Sequence, residues 1–393
     1  DGAVYEGAFA KGKPEGIGKI TYSDGATYEG SWADGVPQGT GISISADASR
    51  YEGAFRGGKQ HGKGVLKRAD GYTYKGDWVN GVKEGAATIG YPDGSEYQGQ
   101  VQAGQREGVG IFTLSDGMIL DGPWRGGQLS GVGKVIQPNG DLYEGELVAG
   151  RREGKGKVTY KNGDIYQGDF LDDLRHGIGT FTATDSYSYT GEWAKGTIEG
   201  AGRVSYPDGS VYEGQMKNGL AQGKGKITYP NGANYEGHWV ANVIEGSGRA
   251  VYSDGTIYEG AFKDARHHGQ GVLTRPDGYR YEGAWVNNQI TGLGTASFAN
   301  GSIYEGQFKD GQRDGRGTFR MADGFSYEGA WVMGAMTGQG TARYASGDSY
   351  TGAFVDGKRE GQGDLTAADG KVVSGIWANG QLVEAPAEAA PEN

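Results

Sequence analysis

The sequence predicts an all-β protein, an elongated single-layer antiparallel sheet of stacked 23-residue β-hairpins, with about 16 complete hairpins and one leading strand. Glycine supplies 79 of 393 residues, about a fifth of the chain, where roughly 7% is usual. One period runs unbroken through the sequence. Each period also carries an Asp-Gly or Asn-Gly pair between two alternating apolar runs, which is hairpin turn chemistry.

The period is read from Tyr-x-Gly at Tyr5, which recurs at Tyr28, Tyr51, Tyr74, Tyr97 and onward to Tyr350, always 23 residues apart. There are 17 copies, of which Leu120 and Val373 lack the tyrosine, and the glycine two residues later is present in all, from Gly7 to Gly375. Such spacing leaves no room for an inserted active-site loop. Function is therefore expected in the array or at its ends.

The run from Gly62 to Trp78 shows one unit. Five copies place a proline before the turn (Pro92, Pro138, Pro207, Pro230, Pro276), which suits a type I turn closed by a glycine of positive φ. That turn sets Tyr91 opposite Ser95, Ile89 opposite Tyr97 and Gly85 opposite Val101. Side chains directly opposite must share space, and the partners of Tyr22, Tyr160 and Tyr206 are the small residues Ala26, Asp164 and Ser210. Where the ring follows the turn, at Tyr72 and Tyr279, the partners are Arg68 and Arg275, able to stack on it.

Period-2 alternation sorts the faces. Tyr28, Gly30 and Trp32 share one side with Ile20, Gly16 and Gly18, while Glu29 and Ser31 point to the other. Glycine on the apolar side lets rings lie flat across the backbone.

A Gly-x-Gly strand, an Asp-Gly turn and Tyr-Glu-Gly-x-Trp/Phe at this spacing resemble MORN repeats over residues 1–383. The resemblance implies an extended sheet of stacked hairpins used to hold other proteins or to dimerise, with lipid binding in some members. Departures are scattered singly: Leu120 and Val373 for Tyr, Ala87 for a strand Gly, Ala48 and Ser186 for the turn Gly, and Ser346 for the turn Asp or Asn. Local loosening is expected there.

A second period lies inside the first. Trp32, Trp78 and Trp124 alternate with Phe55 and Val101, and Trp193, Trp239, Trp285, Trp331 and Trp377 alternate with Met216, Phe262, Phe308 and Phe354. Leu147 and Phe170 are consecutive copies without Trp, so the phase slips at 147–193, where a bend or change of twist is expected. Residues 384–393 read as a disordered acidic tail rich in Pro and Ala.

Composition removes several functions. The chain has no cysteine, which removes disulfides and thiol catalysis. No apolar run is long enough to span a bilayer as a helix, and a net charge of −11 disfavours phosphate backbones and anionic lipid. His61, His176 and His268 share the loop position that holds Glu15, Glu84, Glu107 and Glu153 in other copies, with His267 beside His268. These copies lie too far apart to converge on a substrate or metal. The glutamates after the repeat tyrosine (Glu29, Glu52, Glu144 and their successors) stand two strands apart, ~10 Å, too far to share one ion. No catalytic, cofactor or metal site is expected.

The expected function is a non-enzymatic scaffold, a rigid β-ribbon that holds or spaces protein partners or associates with itself. The candidate interaction strip is Trp32, Trp78, Trp124, Trp193, Trp239, Trp285, Trp331 and Trp377. A glycan-binding module using the same rows is the alternative, lipid binding a weaker one, and nucleic acid is not expected. Asp1-Gly2 is a turn dipeptide in this register, so a strand is expected to precede it, and the compartment is not legible.

Overall fold

The structure, a computed structural model, describes residues 2–384. Apart from Glu384, the expected tail lies outside the described residues. The chain divides into two units, one ending at Thr197 and the other beginning at Ile198. Within each, antiparallel strands pair with the strand before and after them in sequence.

The predicted hairpin register is present. Tyr91 donates its N–H to Ser95 at 2.9 Å and accepts from Gly94 at 3.0 Å, and Ile89 faces Tyr97 and Gly85 faces Val101. Gly94 has φ 89°, the left-handed region that glycine enters without a Cβ penalty. Asp93 fixes the turn further by accepting the Ser95 N–H at 2.9 Å. Where the glycine is missing, Ala48 and Ser186 are held in the same region, at φ 64° and 77°.

A second turn, read from the sequence only as a tight connection, joins each hairpin to the next. Between Ala33 and Val36, Asp34 and Gly35 have φ 51° and 86°, the two-residue type I′ turn whose twist matches the strands it joins. Asp173, Asn242, Ala265 and Asn288 adopt positive φ at the second position without being glycine.

Next to this turn comes a bulge. Between β3 (Thr27–Ala33) and β4 (Val36–Ile44) the register shifts between Gly30↔Gly41 and Trp32↔Pro37. Gly39, at φ 79°, absorbs the extra length, and the bulge re-aims the residues before it.

The apolar face is the core. Tyr28, Trp32, Tyr51 and Phe55 are buried while Glu29 and Glu52 are exposed. The Tyr28 ring lies across the Gly30–Gly41 pair, where a methyl at Gly41 would meet two ring carbons and the hydroxyl oxygen at 2.5–2.7 Å.

Thirty-five strands are present among the described residues, against the expected thirty-three, for two local reasons. A short β35 (Gln381–Glu384) pairs with β34 (Val372–Ala378), so Glu384 is strand and not tail. Near Leu120, one strand is split into β12 (Gln128–Leu129) and β13 (Gly131–Ile136), both pairing with β11 (Ile119–Arg125). The loosening expected from the missing tyrosine is thus a repacking. Leu129 comes within 3.2 Å of a methyl position at Gly122, and Leu147 within 3.3 Å of one at Gly133. In other copies the tyrosine ring fills both places. Through Leu147 and Phe170, the hairpins keep the pairing pattern of the other copies.

Candidate functional site

Each buried tyrosine makes two kinds of contact. Its hydroxyl donates to the carbonyl three residues on, as Tyr97 does to Gln100 and Tyr212 to Gln215, both at 2.8 Å. Where the facing residues are aromatic, its ring packs edge-on against the Trp or Phe of its own and the next copy: Tyr281 lies 5.3 Å from Trp285 and 5.2 Å from Phe308. In every tryptophan but Trp78, whose buried Nε1 has no partner among the described residues, the indole N–H donates to a strand-glycine carbonyl, from Trp124 to Gly110 at 2.8 Å and from Trp377 to Gly363 at 3.0 Å. These bonds satisfy the polar tips of rings that would otherwise be costly to bury. Burial pushes the phenols of Tyr28, Tyr97, Tyr212 and Tyr327 up to about 12.

The eight tryptophans of the expected strip are 2–6% exposed. The structure places them inside the ladder, where they pack on neighbouring rings. A partner approaching this face reaches the side chains above them.

Those side chains form a row that the sequence analysis missed. Two residues before each bulge glycine, one position projects over the rings: Arg106, Arg152, Arg175, Arg313 and Arg359 in five copies, Ile244, Ile290 and Met336 in others. The guanidinium carbons of Arg175, Arg313 and Arg359 lie 4.1–4.2 Å from the centroids of Trp193, Trp331 and Trp377, a cation–π arrangement for which tryptophan is the best ring. Arg313 also donates to the Gly334 carbonyl at 2.8 Å and Arg359 to that of Gly380 at 2.6 Å. Each arginine thereby ties one copy to the type I′ turn of the next. Its signal in the sequence was a recurrence every 23 residues, but its direction depends on the bulge.

The neighbouring position, which the sequence analysis did single out, has a different task. Glu84 accepts the N–H of Ala103 at 3.1 Å, Glu107 that of Gly126 at 2.8 Å and Glu360 that of Asn379 at 2.9 Å. Glu15 and Glu153 do the same, Gln38 and Gln222 replace them with a neutral oxygen, and His61 uses Nδ1 at 3.4 Å. These groups cap the following turn.

His267 occupies the arginine position and is buried. Its ring stacks on Tyr258 with centroids 3.6 Å apart, stands edge-on to Trp285 at 5.1 Å, and its Nε2 lies 2.7 Å from the Tyr252 hydroxyl. Burial lowers its pKa to about 4, so the ring is neutral at pH 7. His268, one residue on, lies at the capping position, so the two histidines do not act as a pair.

Above these rings, within the second unit, a groove of about 1410 Å³ extends from Tyr252 to Gly334. Tyr279, Ile290 and Phe298 give it half-exposed apolar walls, Asn288 and Arg275 give it polar ones, and Trp285 lies in its floor.

The sequence pattern of the MORN repeat matches sixteen consecutive stretches of this chain, from 5–27 to 350–372. The chain belongs to the MORN repeat family. MORN repeats are compatible with a non-enzymatic protein-interaction scaffold. No curated protein matches the sequence. Among solved structures, the TCP10 domain of Danio rerio CPAP is similar at 15% identity, covering 62% of this MORN-repeat chain and 99% of its own, with a TM-score of 0.28. The TCP domain of Drosophila melanogaster SAS-4, solved with a proline-rich motif of Ana2, shows 17% identity, coverage of 45% and 90%, and a TM-score of 0.26. The TCP10c domain of Drosophila melanogaster Sas-4 shows 17% identity, coverage of 44% and 96%, and a TM-score of 0.24.

Proposed function

We propose that this MORN-repeat protein is a non-enzymatic scaffold that holds an extended segment of a protein partner along its ring-bearing face. The observation that carries the reading is the groove between Tyr252 and Gly334. Apolar walls beside a few fixed polar groups suit a peptide that presents both side chains and backbone amides. The tryptophans contribute as a rigid floor, while Ile290, Phe298 and Tyr279 offer the accessible apolar surface. Turns capped from one copy to the next hold the walls in place, so little ordering cost falls on the protein when a segment binds.

Selection of displayed random peptides on the immobilised protein tests this reading, with the Ile290→Glu variant as control. Glutamate there puts a charged side chain among the apolar walls and repels carboxylates, and thermal melts establish that the variant is folded. Peptides enriched on the wild type and lost on the variant support the reading; equal enrichment on both, or none, contradicts it. Light scattering on the same sample separates a second copy of the chain from a different partner.

A further inference from the structure

The side chains over the rings alternate in character through the last copies of the second unit. Ile290, Arg313, Met336 and Arg359 follow one another at intervals of 23 residues. All four are half-buried. Arg313 and Arg359 each stack on a tryptophan and donate to one turn carbonyl. A guanidinium carries five N–H donors in a planar fork, so most of each fork is free for another acceptor.

Neither arginine has an ion-pair partner among the described residues, in a chain with eleven more acidic than basic residues. On the opposite face several cations are paired: Arg249 with Glu259, Arg280 with Glu282 and Arg320 with Glu305, each at 2.7 Å. The carboxylates next in sequence to the two arginines are engaged elsewhere. Asp314 accepts the Met333 N–H at 3.2 Å and Glu360 that of Asn379 at 2.9 Å. In the groove, Asp277 accepts the Tyr279 N–H at 2.9 Å.

We propose that this face binds an extended acidic peptide in which carboxylates alternate with an apolar side chain, the carboxylates meeting Arg313 and Arg359 and the apolar residue meeting Met336. This rests on the scaffold reading above and names the chemistry of the segment held. Successive copies are two strands apart, ~10 Å, so the arginines are ~20 Å apart along the sheet. An extended chain rising ~3.3 Å per residue covers that distance in about six residues, with the apolar residue about midway. A carboxylate meets the arginine fork through two parallel bonds, above rings that reduce solvent screening. A membrane is a poor match, since a flat layer of anionic headgroups does not reach half-buried guanidiniums and is repelled by the net negative charge of the chain.

The test uses the full chain and a fluorescent synthetic peptide of about twelve residues, with two aspartates about six apart and a leucine between them. A second peptide carries lysines in place of the aspartates. Fluorescence anisotropy is expected to show binding of the acidic peptide that weakens with added salt, and at least about tenfold weaker binding by Arg313→Gln and Arg359→Gln, with only part of it restored in Arg313→Lys, which keeps the charge and loses the fork. Thermal melts establish that each variant is folded. Equal binding of both peptides, or unchanged affinity in the glutamine variants, overturns the proposal, as does arginine-dependent binding of phosphatidylserine vesicles without peptide binding. In the display selection, neutral or basic peptides that still require an open groove refute the acidic segment and leave the scaffold reading standing, whereas no enrichment refutes the scaffold reading itself.

Discussion

The Tyr28 ring lies across Gly41, so that a methyl group there would stand 2.5 Å from one ring carbon. This contact explains why glycine and tyrosine recur together: the ring that forms the core occupies the volume of the absent side chain. Gly41→Ala is expected to destabilise the protein by about 1–3 kcal/mol through overpacking, read as a lower urea midpoint. The Gly76 site, which already faces Ala87, marks the one place among the described residues where the pair accommodates a methyl.

Left-handed turn positions give the opposite sign. Ala48 has φ 64° at a position where other copies carry glycine. Replacing it should relieve about 1 kcal/mol of strain, offset in part by the greater freedom glycine gives the unfolded chain. Ala48→Gly is therefore expected to raise the melting temperature slightly.

The turn-capping bond separates charge from acceptor geometry. Glu84→Ala removes the acceptor for the Ala103 N–H and should cost about 1 kcal/mol. Glu84→Gln retains an oxygen, as Gln38 and Gln222 do natively, and is expected to be within about 0.5 kcal/mol of wild type. Urea unfolding of the two variants measures the difference.

Stability should fall at both extremes of pH. The buried tyrosines are raised from about 10 when unfolded to about 12 when folded. The neutral form is favoured in the fold, so their contribution is complete below pH 10 and is lost as pH rises toward 12. His267 is lowered to about 4, so its contribution is present above the unfolded value near 6.5 and is lost as pH falls from there toward 4. Wild type should lose stability between pH 7 and pH 5, and His267→Leu should lose less. Circular dichroism melts across the pH range check both limbs.

Much of this was legible in the sequence because it depends on local chemistry and period. The facing pairs Tyr91–Ser95 and Ile89–Tyr97 follow from one turn type, and the burial of Tyr28 and Trp32 follows from alternation. What was missed depends on departures from alternation. The bulge at Gly39 redirects the position held by Pro37, and its equivalents Arg313 and Arg359 then lie over tryptophans, which strict period 2 does not foresee. The split at Ser130 was hidden because it arises from Leu129 and Leu147 filling the space of a ring absent at Leu120. His267 stood out as one of two adjacent histidines, but only the fold shows that it occupies an arginine position.

The central claim is that each copy buries its rings against the next, leaving the side chains above them as the accessible surface. Acrylamide quenching of tryptophan fluorescence tests it most directly, because all eight indoles lie in the ladder. Weak quenching in native buffer that becomes strong in guanidinium is the expected result. Quenching as strong in native buffer as in denaturant would contradict the account.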